Sequence, residues 1–225
     1  MVTANLKAFA GLIQLFLVMA AVIFLTAWTH AYWQVWIFLA AFFGPSLAIT
    51  FYLMKHDPRL LERRITAGFG SEKERSQNII QGIATVAFLA MIIIPALDHR
   101  FGWSAVPAAV VLLGDLVIVV GFYFVFLVFK ENTFASGIIE VAADQRVITT
   151  GPYALVRHPM YSGALFMLIG VPIALGSWWG LLALIPMALV LVIRLLDEEK
   201  FLAKNLAGYS EYQTKVKYRL LPLVW

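Results

Sequence analysis

The sequence predicts an all-α, polytopic integral membrane protein of about six membrane helices, the last two a hairpin with a short first arm. Two observations carry the fold class. Of 225 residues, 62% are apolar and 13% charged, and those charges are gathered into a few short segments. Soluble domains run about 45–50% apolar and about 25% charged, and a soluble core of this size cannot hide so much apolar surface. The composition excludes a water-soluble enzyme, a disordered chain and a nucleic-acid reader.

Between Lys7 and Lys55 there are 47 residues without Asp, Glu, Lys or Arg. A crossing helix needs about 20 apolar residues, so this stretch predicts two spans, at 9–28 and 33–54. Trp28, Tyr32, Trp33 and Trp36 surround the break at Thr29-His30-Ala31 as an interfacial belt. A cleaved signal peptide fits the first span poorly, because the apolar run is long, its basic region is one lysine, and no small-residue cleavage site precedes Trp28. Ser76 to Leu97 forms the third charge-free run. Phe101 to Phe129, interrupted by Asp115, forms the fourth; it exceeds what the bilayer needs and predicts tilt or projection. His158 to Ile193 carries no acidic or basic side chain beyond its first histidine and holds Pro172 and Gly176-Ser177, so it predicts a helical hairpin. Its first arm, 162–176, is only ~22 Å long at 1.5 Å per residue, which fits a re-entrant arm or one spliced to the preceding loop. Thr66 to Arg75 reads as a polar linker, and 1–225 as a single domain, with four spans in 1–130 and a loop, hairpin and C-terminal segment in 131–225.

Of the 17 Lys and Arg residues, only Arg100 falls on the far side of these spans. The positive-inside rule then puts both termini and both long polar segments in the cytoplasm, at the inner membrane in a bacterium. The net charge of +4 suits anionic lipid headgroups and requires no nucleic acid. With no cysteine there are no disulfides or thiolate ligands, and four scattered histidines without i,i+4 spacing argue against a metal site.

Two cytoplasmic segments hold polar residues that solubility does not require. In DQRVITTGPYALVRHPMYSG, Gly151-Pro152 and His158-Pro159 each stop a helix, and irregular backbone beside a span is buried in protein or lines a wet cavity. Arg157, His158, Tyr153 and Tyr161 supply donors and aromatic faces there; a proline-rich interfacial connector is the plainer reading. In RLLDEEKFL, Arg194 and Glu198 share a helix face, with Asp197 beside them and Glu199 rotated by about 100°. Three acids at a helix end oppose the macrodipole and repel one another unless a cation binds, although a solvated i,i+4 pair is the plainer reading. Asp115, the one ionisable residue inside a span, is a functional candidate by default or a hydrogen-bonded carboxyl facing another helix.

TTGPYALVRHPMYSG, the hairpin, the Glu-Glu pair, GYSEY and RLLP, in this order over Asn132 to Trp225, resemble the membrane methyltransferases. That family includes isoprenylcysteine carboxyl methyltransferases and phospholipid N-methyltransferases. The likeness is closest to the bacterial branch carrying the carboxyl-methyltransferase name, whose DPRLLERR-like stretch matches 57–64. The resemblance implies S-adenosylmethionine as cofactor, held in a cytoplasmic pocket over the hairpin. It implies that Gln145, Arg146, Val147 and Ile148 wrap the cofactor, Gln145 standing where the prenylcysteine enzymes usually have His. By the same resemblance Tyr153, His158, Pro159, Met160 and Tyr161 contact it, Glu198 with Glu199 beside it binds it, and Arg194 faces the acceptor. Glu140 lies near a polar cofactor contact of relatives, with different spacing. Arg194 and Glu198 are the expected catalytic pair.

The implied acceptor is lipophilic and enters from the bilayer. A carboxylate would pair bidentately with Arg194, whereas a lipid amine would need a base such as Glu198 or Asp197. Neither nucleic acid nor metal is expected as a partner. Two other readings are an NADPH-dependent membrane reductase, which shares the RHPxY string, and a non-enzymatic transporter or structural protein. Asp197, Glu198 and Glu199 oppose a polyanionic cofactor, and a transporter would spread polar residues through the midplane.

Overall fold

The computed structural model describes residues 2–66 and 75–225, and among them every regular element is helical. The predicted polar linker at 66–75 falls largely outside the described residues. The elements are α1 (Val2–Ala27), α2 (Trp33–His56), α3 (Pro58–Thr66), α4 (Arg75–Phe101), α5 (Ala108–Glu131), α6 (Pro159–Ala174), α7 (Leu184–Asn205) and α8 (Tyr209–Lys215). Short 3₁₀ turns at Gly151–Ala154 and Trp179–Ala183 precede α6 and α7.

Among the described residues, 5 helical stretches are long and apolar enough to cross a membrane: Ala4–Ala27, Trp33–His56, Ser76–Phe101, Ala108–Glu131 and Trp179–Asn205. The chain is a multi-pass membrane protein. The expected sixth span is α6, whose 16 residues reach only ~24 Å at 1.5 Å per residue, short of the ~30 Å hydrocarbon core. The fourth charge-free run is not an overlong tilted helix. Phe101 ends α4, Gly102 takes φ +67°, and α5 starts at Ala108 after Pro107, so the extra residues form a turn.

Helices α5 and α6 pack backbone to backbone, antiparallel, through two glycine pairs. A Cβ on Gly121 would lie 2.8 Å from the Gly163 carbonyl oxygen, and one on Gly170 would lie 2.7 Å from that of Gly114. Each helix spaces its two glycines seven residues apart, close to two turns, which keeps both pairs on one seam. Small residues on such seams let membrane helices approach closely.

At the end of the bundle that carries Arg100, polar groups close on one another. Buried Asp98 accepts hydrogen bonds from the Ser104 amide and hydroxyl, both at 2.6 Å, and from the Ser177 hydroxyl. The Ser177 oxygen in turn accepts from the Gly180 amide at 2.9 Å. Tyr32, fully buried, donates to the Leu175 carbonyl and stacks on His99 with ring centroids 3.7 Å apart. A buried carboxylate with three donors is satisfied, so this network joins the end of α4 to the turn between α6 and α7.

The other end holds the irregular backbone. The short helix α3 begins with the Asp57 carboxylate accepting the Leu60 amide at 3.0 Å, the local cap that Asp supplies. Its Leu60 and Leu61 are buried against Val128 and Phe129 of α5. Residues 132–158 cross this end, and the C-terminal segment folds over them. The Arg157 and His158 amides donate to the Tyr218 and Arg219 carbonyls at 2.9 Å each, and the Ser162 hydroxyl donates to the Leu220 carbonyl at 2.6 Å.

Candidate active site

Beneath that covered end lies a cavity of about 830 Å³ with two unlike halves. Helix ends, the 132–158 loop and α8 build a polar half around Tyr153, Tyr161, Arg194 and Glu198. Leu12 and Leu15 of α1, Ile49 and Leu53 of α2, Phe122 and Val125 of α5, and Met167 of α6 build an apolar arm that runs into the bundle. The volume falls within the range of about 300–1,000 Å³ typical of small-molecule sites.

Glu140, Gln145, Arg146, Val147, Ile148, Tyr153, His158, Pro159, Met160, Tyr161, Arg194 and Glu198 all line this one cavity, although they come from segments up to 58 positions apart in the sequence. Glu198 accepts the Tyr161 hydroxyl on Oε2 at 2.6 Å. Tyr161 is also hydrogen-bonded to Arg194, and Arg194 donates to the Gln77 side-chain oxygen at 3.3 Å and the Gly137 carbonyl at 3.1 Å. Gln77 donates in turn to Asp197 at 3.0 Å. An acid, a phenol and a guanidinium are thus held side by side, with Gln77 and Asp197 supporting them from behind the cavity wall.

Tyr153 receives the Asn132 side-chain amide on its hydroxyl at 2.7 Å, and its carbonyl accepts the Tyr212 hydroxyl at 2.7 Å. Burial pushes the Tyr153 phenol above its ordinary value, and burial does the same for Tyr209 and Tyr212. All three are therefore neutral hydroxyls over the physiological range. The turn that presents Tyr153 needs Gly151, which has φ +57°. A Cβ there would lie 2.5 Å from Glu131 Cγ. Gln145 folds back on its own loop, its side-chain oxygen accepting the Ala142 amide at 3.0 Å. Val147 packs into the cluster of Leu206, Tyr209 and Tyr212.

The structure separates Glu199 from Glu198. Glu199 does not line the cavity. It is buried behind it, with Oε1 2.6 Å from Arg157 Nε and Oε2 2.9 Å from Arg219 Nε. Arg157 also donates to the Val216 and Lys217 carbonyls at 2.8 and 3.0 Å. His158 directs Nε2 to Glu199 Oε1 at 3.4 Å and to the Tyr209 hydroxyl at 3.5 Å. The Arg157–Glu199–Arg219 group thus clamps the C-terminal segment over the site, and it accounts for one of the three acids grouped at the helix end.

Sequence reasoning missed Arg64, Gln77, Asn132, Tyr209 and Tyr212 as parts of this end. The tyrosines stood in the quoted GYSEY string, and Arg64 in DPRLLERR; Gln77 and Asn132 carried no local signal. Asp115 is buried on α5 and does not line the cavity; among the described residues neither carboxylate oxygen has a hydrogen-bond partner.

Comparison with curated proteins gives no match. The family model described as phospholipid methyltransferase matches residues 109–208, from the start of α5 through the turn after α7, so this part of the chain is similar to that family.

Proposed function

We propose that the chain is one membrane-embedded domain that transfers a methyl group from S-adenosylmethionine to a lipophilic acceptor, most fittingly a carboxylate, at the cytoplasmic end of the bundle. The observation that supports this best is the meeting of twelve motif residues from distant segments on a single cavity with one polar and one apolar half.

The chemistry of the donor set fits S-adenosylmethionine. Its ammonium calls for a carboxylate, which Glu198 offers, held in place through Oε2 by Tyr161. Its sulfonium calls for aromatic faces, which Tyr153 and Tyr161 offer by cation–π attraction. Its carboxylate calls for N–H donors, which the backbone of 146–148 can supply, the Gln145 amide being held by the Ala142 carbonyl. His158 is less suited to that task, since its Nε2 is turned to Glu199.

When bound, S-adenosylmethionine supplies a methyl group carried on a positively charged sulfur. The protein's part is position and exclusion of water. Arg194, fixed by Gly137, Gln77 and Tyr161, orients an acceptor carboxylate, which is already a nucleophile at neutral pH. Tyr161 links it to Glu198, so acceptor and donor sites share one hydrogen-bonded unit. The C-terminal segment closes the polar half. Alignment of this kind can lower a barrier by about 7–11 kcal/mol. The apolar arm lets a hydrocarbon chain remain among α1, α2 and α5 while its head group reaches the polar half.

The test is incubation of detergent-purified protein with methyl-labelled S-adenosylmethionine and a membrane lipid extract. Label is expected in the organic phase and released as methanol by mild base, the behaviour of a methyl ester. Base-stable label would replace the carboxylate by an amine acceptor. No label above an Arg194→Ala control would overturn the reading.

A further inference from the structure

The apolar arm of the cavity ends in one layer. Counted from the covered end, its last wall residues include Leu15 on α1, Ser46 on α2, Phe122 on α5 and Met167 on α6. About one helical turn deeper stand Met19, Phe42, Ile118 and Val171. All four belong to one packed core, with Met19, Ile118 and Val171 at 1% exposure or less. Phe42 meets Phe122 edge to face with ring centroids 5.1 Å apart. Phe43 and Phe16 extend that contact across to α1, at 5.2 Å each. Among the described residues four helices thus close the arm at one depth.

Three helices give the arm the same depth. Leu53 to Ser46 on α2, Phe129 to Phe122 on α5 and Met160 to Met167 on α6 each run seven residues from its top to that floor, about 10.5 Å at 1.5 Å per residue. A zigzag hydrocarbon chain advances about 1.3 Å per carbon, somewhat less than its C–C bond of about 1.5 Å, so about eight carbons fill this depth. The hydroxyls in the wall are turned to their own helix. Ser46 Oγ donates to the Phe42 carbonyl at 2.7 Å, and Thr50 Oγ1 donates to the Ser46 carbonyl at 2.9 Å. Ile49, Leu53, Val125 and Phe129 add apolar surface. A polar group carried this deep would lose water without gaining a donor, so the arm takes a hydrocarbon chain.

We infer that Phe122, braced by Phe42, sets how long a straight hydrocarbon chain the acceptor carries into the cavity, the floor being reached at about eight carbons. This rests on the methyltransferase reading only for calling the owner of that chain the acceptor. Up to the floor, each further CH2 exchanges water for the wall of the arm. Beyond it, a chain has to bend back or displace Phe122, whose ring is held from below by Phe42.

The experiment is calorimetric titration of the full-length protein in neutral maltoside micelles with the even n-alkanoates from butanoate to hexadecanoate and the matching n-alkylamines. Each titration is corrected for partition into protein-free micelles, and S-adenosylhomocysteine is titrated alongside. In the series that binds more tightly, affinity should rise about fourfold per carbon, about 0.8 kcal/mol per buried CH2. It should level off once the arm holds about eight carbons. Phe122→Ala should extend the rise by about two carbons, a further gain of about fifteenfold. Met167→Ala, in the same layer on α6, should act alike, and it decides the matter where Phe122→Ala does not fold. Gly11→Leu should do the reverse. Gly11 lines the arm one turn above Leu15, and a Cβ there meets nothing within 4 Å. The added side chain should end the rise about four carbons earlier, one turn of about 5.4 Å. An unbroken rise, a break that none of these variants moves, or binding by neither series would overturn the inference, and with S-adenosylhomocysteine binding intact it would do so alone. Loss of S-adenosylhomocysteine binding in folded Gly11→Leu would also overturn it, because the arm would then hold the donor. A break that the variants move, in protein that does not bind S-adenosylhomocysteine, keeps the chain-length limit and removes the methyltransferase reading.

Discussion

Glu199→Gln removes one negative charge from a site where both arginine partners depend on it. The side chains of Glu199 and Arg157 are each 6% exposed and 2.6 Å apart, so Arg157 would be left as a buried cation with only the Val216 and Lys217 carbonyls. Breaking a buried pair from one side costs about 3–5 kcal/mol. The lower end applies here, because those carbonyls remain and Arg219, 31% exposed, can recover water. About 3 kcal/mol in a protein of this size corresponds to a fall in Tm of roughly 6–12 °C, at about 2–4 °C per kcal/mol. Thermal unfolding in detergent reads it directly. Arg157→Met with Glu199→Leu removes both charges and should recover most of the loss, since apolar replacement of a buried pair is often neutral. A shift of less than about 2 °C in the single variant, against the 2–4 °C expected per kcal/mol, would refute the clamp. A double variant as unstable as the single would refute its electrostatic origin.

Other substitutions probe the remaining parts. Glu198→Gln should weaken S-adenosylhomocysteine binding by about tenfold, the loss of about 1.4 kcal/mol expected when a charge-assisted bond becomes neutral; unchanged affinity by calorimetry would remove it from the donor site. Arg194→Ala should abolish methyl transfer in the lipid-extract assay while donor binding is largely kept, and equal loss of both would remove its acceptor role. Gly121→Ala places a methyl 2.8 Å from the Gly163 oxygen and the Met167 amide nitrogen, so it should destabilise by about 1–3 kcal/mol. Gly44→Ala meets nothing within 4 Å and should be neutral or stabilising by up to about 1 kcal/mol; thermal unfolding compares the pair, and similar effects would refute the glycine seam.

The spans were legible because hydrocarbon forbids charge: the ends of α1, α2 and α4 and the C-terminal end of α5 lie within a few residues of the nearest ionisable side chains. The length of α5 was less so, since a charge-free turn and a charge-free helix look alike until Gly102 and Pro107 are read as the break. The glycine seam was present as two seven-residue spacings, but which helices they join is a tertiary fact. The polar half of the cavity followed from motif order, and its wall contains every quoted cavity residue save Glu199. That residue was misgrouped because its partners, Arg157 and Arg219, are 42 and 20 positions away; only the helical rotation from Glu198 hinted that it faces elsewhere. Arg64 was one basic residue among several before α4, and its place in the wall depends on α3 folding back onto α5.

The central claim is that the cavity holds S-adenosylmethionine, and the most direct measurement is calorimetric binding of S-adenosylhomocysteine to the detergent-purified protein, with NADPH titrated in parallel. Binding of S-adenosylhomocysteine at micromolar affinity, about tenfold weaker in Glu198→Gln and absent for NADPH, is the predicted result. Binding of NADPH without S-adenosylhomocysteine would contradict the account and turn the same cavity into that of a membrane reductase.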